Sequence, residues 1–286
     1  MLSDFNNKII FYDGAMGTML QKRGLKFGDL PDLMNISSPD AVEEVHRLYI
    51  EAGSNIICTN TFGANSYALR DVEYTPEDII NAAVEIAKRA IASADVHDVS
   101  ETKIALDIGP IGQLIEPYGD LEVENAVEIF AEQAIAGEKA GVDFVAIETM
   151  AALNEMEAAL KAVSENTNLP ILATMTFDTN GRTYMGTSVE SFVESAQRFG
   201  ASAIGMNCSL EPKVMFSVAE EMSKLTNLPL IIKLNAGLPD GNTGSYSVSP
   251  EEFAKQLIPY KDIGAKIVGG CCGTSPEYIK ELKNRL

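Results

Sequence analysis

Short, continuous apolar runs recur along the whole chain, at 8–12, 55–59, 103–107, 144–147, 171–176, 203–206, 230–234 and 266–268. Most of them do not alternate with polar residues, which is the pattern of strands buried on both faces in a parallel sheet. Helical segments lie between them, at 39–52, 76–93, 124–140, 151–165, 189–199, 212–225, 250–260 and 276–286. Pro39 and Pro76 follow Ser38 and Thr75, so both helices open on a candidate cap and a proline. Gly53, Gly141 and Gly200 stand where three of the helices should stop. Leu153, Met156, Leu160 and Val163 share one face of the 151–165 segment. Eight strands alternating with eight helices predict an α/β fold, a single (β/α)8 TIM barrel over residues 1–286. The alternative, a doubly wound open sheet, would place a G-x-G-x-x-G turn after the first strand. Asp13-Gly14-Ala15-Met16-Gly17-Thr18 stands there and does not match.

Charge narrows the function classes. There are 22 Lys+Arg against 41 Asp+Glu, a formal net charge of −19. A nucleic-acid or anionic-membrane surface needs the opposite sign. No apolar run approaches the roughly 18 residues of a membrane span. The first residues lack a basic stretch leading into an apolar one, so no signal peptide is expected and the chain is assigned to the cytoplasm.

Barrel chemistry collects at the C-terminal ends of the strands. In this sequence those ends are small and polar. Asp13-Gly14 follow the first strand, Asn60-Thr61-Phe62-Gly63 the second and Glu148-Thr149 the fourth. Asn207-Cys208-Ser209 follow the sixth, Asn235-Ala236-Gly237 the seventh and Gly269-Gly270-Cys271-Cys272-Gly273 the eighth. Adjacent cysteines bridge each other poorly, so metal binding or catalysis is the better reading of the pair. Cys208, Cys271 and Cys272 then make a three-thiolate zinc site with an open fourth position, the arrangement of a catalytic rather than a structural zinc. Metal coordination deprotonates a thiol, so such a site would activate a substrate thiol as a nucleophile. Cys58 lies within an apolar run and reads as a core cysteine. His46 reads as a helix residue and His97 as a surface one.

Other strand-end residues have two readings. Asp13 and Glu148 either accept an amino acid's ammonium group or cap and brace the following loops. Asn207 and Asn235 divide in the same way. Asn60-Thr61-Phe62-Gly63 is either a loop over the pocket with donors for a carboxylate or a plain turn. Gly181 suggests a tight turn, and 240–244 a mobile loop able to act as a lid.

Several motifs together resemble the homocysteine S-methyltransferase family: 13–18, 60–65, Gly109-Pro110-Ile111-Gly112, 147–150, Gly205-Met206-Asn207-Cys208-Ser209, 235–237 and 269–274. The resemblance runs nearly end to end. It is nearest to the homocysteine-binding module of cobalamin-dependent methionine synthase. It implies zinc held by Cys208, Cys271 and Cys272, and homocysteine bound through sulfur and methylated to methionine. It also implies that the amino-acid end lies near Asp13 and Glu148, with Gly14, Asn60, Thr61, Asn207 and Asn235 around it. The chain stops after the last barrel helix, so the methyl group is expected from methylcobalamin on a separate corrinoid protein, or from folate and cobalamin modules in trans. The alternatives are S-methylmethionine, S-adenosylmethionine or betaine as donor, a different small thiol as acceptor, or a non-catalytic zinc- or thiol-binding barrel.

Overall fold

The computed structural model describes residues 8–96, 98–241 and 244–286. Eight parallel strands form one sheet: β1 (Ile10–Phe11), β2 (Ile56–Cys58), β3 (Lys103–Ile108), β4 (Phe144–Met150), β5 (Ile171–Met175), β6 (Ala203–Asn207), β7 (Leu230–Leu234) and β8 (Ala265–Gly270). The order is β1-β8-β7-β6-β5-β4-β3-β2. A parallel bridge from Tyr12 to Ile56 joins the two ends. The Asp13 N–H donates to the Ile56 carbonyl at 3.0 Å and the Asn55 N–H to the Phe11 carbonyl at 2.6 Å, closing the ring. The expected (β/α)8 barrel is therefore the observed fold.

Ten α-helices are present among the described residues: α1 (Gly17–Gln21), α2 (Met34–Ser37), α3 (Pro39–Ala52), α4 (Pro76–Ser93), α5 (Val123–Ala140), α6 (Leu153–Asn166), α7 (Val189–Arg198), α8 (Pro212–Leu225), α9 (Pro250–Leu257) and α10 (Pro276–Arg285). Thr75 caps α4 in a reciprocal box with Asp78, whereas the Ser38 side chain caps nothing. α9 stops short of the expected 260, and a 3-10 turn (Ile258–Ile263) follows. Pro259 has no N–H to give the Lys255 carbonyl, so the α-helical ladder ends there. α1 and α2, with a 3-10 turn at Pro31–Leu33, were not expected; each is too short to show a period. Gly181 sits at φ 68° in the anticipated tight turn. In the 240–244 loop, Asn242 and Thr243 lie outside the described residues, as does His97.

The inside of the barrel is layered. Ile10, Tyr12, Ile56, Cys58, Ala105, Phe144, Ala146, Leu172, Ala203, Ile231 and Ile267 form a core of their own within the ring. The same alternation, carried further along the strands, brings Asp107, Glu148, Thr174, Asn207 and Lys233, all buried. An apolar floor thus carries a polar layer below the barrel mouth.

Candidate active site

A cavity of about 1060 Å³ opens at the C-terminal end of the strands and is lined by Asp13, Gly14, Asn60, Glu148, Cys208, Lys233, Cys271 and Cys272 among others. The three thiols expected to act together do meet. Cys208 Sγ is 2.6 Å from Cys271 Sγ and 3.6 Å from Cys272 Sγ. The longer separation is close to the ~3.8 Å between two thiolates bound 2.3 Å from a tetrahedral zinc. All three thiols are free and half-buried, and a set of soft sulfur donors suits zinc. Contact with the Cys208 thiol lowers the Cys272 pKa, while contact with Cys271 raises that of Cys208.

Local backbone geometry sets this convergence. Cys208 lies in the left-handed region at φ 49°, and so does Thr149 at φ 64°. Non-glycine residues adopt that conformation at a cost, and it concentrates at functional sites. Asn207 holds the pair. Its Oδ1 accepts from the Thr149 N–H at 2.8 Å and from the Thr174 hydroxyl at 2.9 Å, and its Nδ2 donates to Thr149 Oγ1 at 2.7 Å. The β4–β5 register shifts between Ile147 and Met150, around Thr149. In the cysteine turn, Gly273 takes φ 83°. Gly269 is needed for close packing, since a Cβ there would lie 2.7 Å from the Asp13 carbonyl oxygen.

The remaining expected residues divide into two groups. Asp13 and Glu148 reach the cavity. The Asp13 carboxylate accepts the Cys58 N–H through Oδ2 at 2.7 Å, and its Oδ1 is buried without a hydrogen-bond donor. Burial pushes Asp13 up to about 7, against the pull of Lys233 and the Cys58 N–H, and it raises Glu148 as well. Asn60 lines the cavity, but its Nδ2 donates to the Pro31 carbonyl at 2.7 Å. The Thr61 hydroxyl donates to the Asp107 carbonyl at 2.8 Å. Asn235 Nδ2 donates to the Cys208 carbonyl at 3.3 Å, and its Oδ1 is buried without a donor. Gly14 leaves no room for a side chain, because a Cβ would lie 2.6 Å from Thr274 Oγ1.

Lys233 escaped the sequence reading because it sits inside an apolar run. Its parity with Asn235, two residues on, was the available signal. The ammonium reaches across the barrel to Glu148 Oε2 at 2.8 Å and lies 3.9 Å from Asp13 Oδ1. Burial opposes its charge, but Cys58, Glu148 and Asp13 outweigh burial and hold its pKa well above the ordinary lysine value. Cys58 is buried in the apolar floor as expected, at its boundary with the polar layer, with Sγ 3.5 Å from the Tyr12 hydroxyl. No described helix is long and apolar enough to cross a membrane.

Comparison with known proteins identifies the family. The chain is 29% identical over 298 residues to the methionine synthase of Mycobacterium leprae (strain TN), a match covering 99% of the chain and 24% of that protein. To the methionine synthase of Mycobacterium tuberculosis (strain ATCC 25618 / H37Rv) it is 28% identical, covering 99% of the chain and 25% of the relative. The chain thus spans about a quarter of the length of these relatives. The metallated form of the homocysteine methyltransferase MmuM from Escherichia coli superimposes with a TM-score of 0.86 at 24% identity, covering 100% of this chain and 98% of that one; it shares the fold. The homocysteine S-methyltransferase family pattern matches residues 10–286. With nearly its whole length matched, the chain belongs to the homocysteine S-methyltransferase family.

Proposed function

We propose that the protein transfers a methyl group to the thiol of L-homocysteine, giving methionine, in the cytoplasm, where thiols stay reduced. The observation that carries this reading is the meeting of Cys208, Cys271 and Cys272 in one cavity with two buried carboxylates. The three thiols would hold a zinc ion, which when bound supplies Lewis acidity that keeps a substrate sulfur deprotonated at neutral pH. Asp13 Oδ1, lacking a donor, and Glu148 accept the substrate ammonium and orient the amino acid. Asn207 positions Cys208 through the clamp on Thr149, and Asn235 steadies the Cys208 carbonyl. Gly14 lines the cavity beside Asp13 and lets Thr274 and Tyr49 pack against its backbone, while Asn60 and Thr61 hold the loop that walls the cavity.

For the methyl donor, we favour methylcobalamin carried by a separate corrinoid protein or by modules in trans. Phe27 and Tyr184 are fully exposed, and Tyr118 and Leu238 largely so. All four stand on connections that follow strands β1, β5, β3 and β7. Exposed apolar side chains on these loops would give a macromolecular donor a surface to meet. A small sulfonium or ammonium donor would not need it.

The test is a panel on the purified protein after incubation with zinc and removal of the excess, with zinc per chain measured first. Methionine formation from homocysteine is measured with methylcobalamin, S-methylmethionine, S-adenosylmethionine and betaine in turn. Turnover with methylcobalamin alone supports the whole reading. Turnover with a small donor keeps the acceptor chemistry and replaces the donor. No turnover with any of them, together with no zinc in the protein, overturns it.

A further inference from the structure

Next to the thiol triad lies a second group of metal-binding atoms. The ligand atoms of Cys58, Asp107 and Glu148 all fall within 4.8 Å of one another, and all three residues are buried. They come from β2, β3 and β4 and line the same cavity as the triad. One thiol and two carboxylates are acceptable zinc ligands. Asp107 Oδ1 is buried with no hydrogen-bond partner. A cluster of this kind without a counter-charge is costly, because two carboxylates in a low dielectric repel and are poorly solvated.

The counter-charge is Lys233. Its Nζ is 2.8 Å from Glu148 Oε2, 3.8 Å from Cys58 Sγ and 3.9 Å from Asp13 Oδ1. It also lies 4.1 Å from the centroid of the Tyr12 ring. Carboxylates, a sulfur and an aromatic face surround the ammonium, as they would a bound cation. The side chain starts on β7 and reaches residues of β4, β2 and the β1 end, so it fills the middle of the polar layer.

We propose that Lys233 is a built-in cation that closes a latent second metal site formed by Cys58, Asp107 and Glu148, and so confines a divalent metal to Cys208, Cys271 and Cys272. The part concerning the triad rests on the zinc reading above; the latent site does not. A divalent ion at the second position would draw Glu148 away from the substrate ammonium it is proposed to accept. It would also place a second positive centre beside the first. The Lys233 ammonium pairs with Glu148 and lies against Cys58 without offering a coordination position, and it cannot dissociate.

The test replaces the ammonium with an apolar side chain of similar length. The wild type, Lys233→Met, and Lys233→Met combined with Cys58→Ala are stripped with a chelator and titrated with Zn2+ and Co2+. Metal per chain and the thiolate-to-cobalt charge-transfer band are read. Lys233→Met is expected to bind one ion more than the wild type and to gain a cobalt band that disappears with Cys58→Ala. Its melting temperature should fall by about 10 °C in chelator, because carboxylates are left uncompensated, and zinc should restore at least half of that loss. Lys233→Ala, which leaves more room for an ion, gives the same readout if the methionine variant folds poorly. An unchanged metal count in both lysine variants, or a gained ion indifferent to Cys58, overturns the proposal. A wild type that takes no metal would overturn the zinc reading alone, since the Cys58-dependent ion in the variants is scored separately.

Discussion

The side-chain amide of Asn207 grips Thr149 at both ends, accepting its N–H at 2.8 Å and donating to its hydroxyl at 2.7 Å. Cys208, the residue after Asn207, and Glu148, the residue before Thr149, are the groups the proposed reaction uses. Asn207→Ala would leave the partly buried Thr149 N–H and the buried Thr174 hydroxyl without their acceptor. We expect a stability loss of about 2 kcal/mol and a metal affinity lower by roughly 10- to 100-fold. Urea denaturation and competition titration with a zinc chelator measure the two effects.

Removing a ligand should separate the metal from the fold. Cys271→Ser or Cys272→Ser is expected to weaken zinc binding by more than the roughly 10- to 100-fold that loss of an outer hydrogen-bond partner costs. The thermal melt should remain cooperative and close to that of the wild type stripped of metal, because the thiols lie above the apolar floor of the barrel. Cys208→Ala should abolish methionine formation. Collapse of the melt in a serine variant would show the site to be structural.

His46 predicts a pH effect on stability. It is wholly buried in α3 with neither ring nitrogen partnered, and burial lowers its pKa from 6.5 to about 4. Between these values the unfolded chain binds the proton that the folded one refuses, so stability falls as pH drops through this window. The full effect is about 3 kcal/mol. His46→Leu should remove it. The stability difference between variant and wild type, measured by urea denaturation, should grow in the variant's favour by about 2 kcal/mol between pH ~7.5 and ~4.5. A difference independent of pH would contradict it.

Gly205 tests the packing of the ring. A Cβ there would lie 1.8 Å from the Ile231 carbonyl oxygen, on the neighbouring strand β7. Since the obstacle is backbone, relief requires the β6–β7 pair to part. Gly205→Ala is expected to cost at least about 3 kcal/mol, seen as a lowered urea midpoint or as insoluble protein.

Much of the architecture was legible because each strand is buried on both faces and so appears as an unbroken apolar run. Pro39, Pro76, Pro212, Pro250 and Pro276 mark helix starts by a local rule that tertiary structure does not override. The thiol triad was legible because three of the four cysteines stand at strand ends. Lys233 and Asp107 were not, since a charged residue inside such a run looks like a strand terminus or an exception until parity assigns it to the interior. For Asn60 and Thr61, residue type suggested donors for a ligand. The structure shows those donors turned to the Pro31 and Asp107 carbonyls, which only the three-dimensional course of the β1 and β3 connections could reveal.

The site also draws on both ends of the chain order. The Gly270 N–H donates to the Asp13 carbonyl at 3.0 Å, and the Ala15 N–H to Thr274 Oγ1 at 3.2 Å. The Tyr49 hydroxyl donates to the Ala15 carbonyl at 2.9 Å. During synthesis, Asp13 therefore waits for partners that leave the ribosome more than two hundred residues later. Until β8 closes the ring, Cys208 has neither sulfur neighbour, and the nascent chain offers a metal no finished set of ligands. Any metal held by the three thiols would thus be loaded onto the completed barrel, after translation of its last strand.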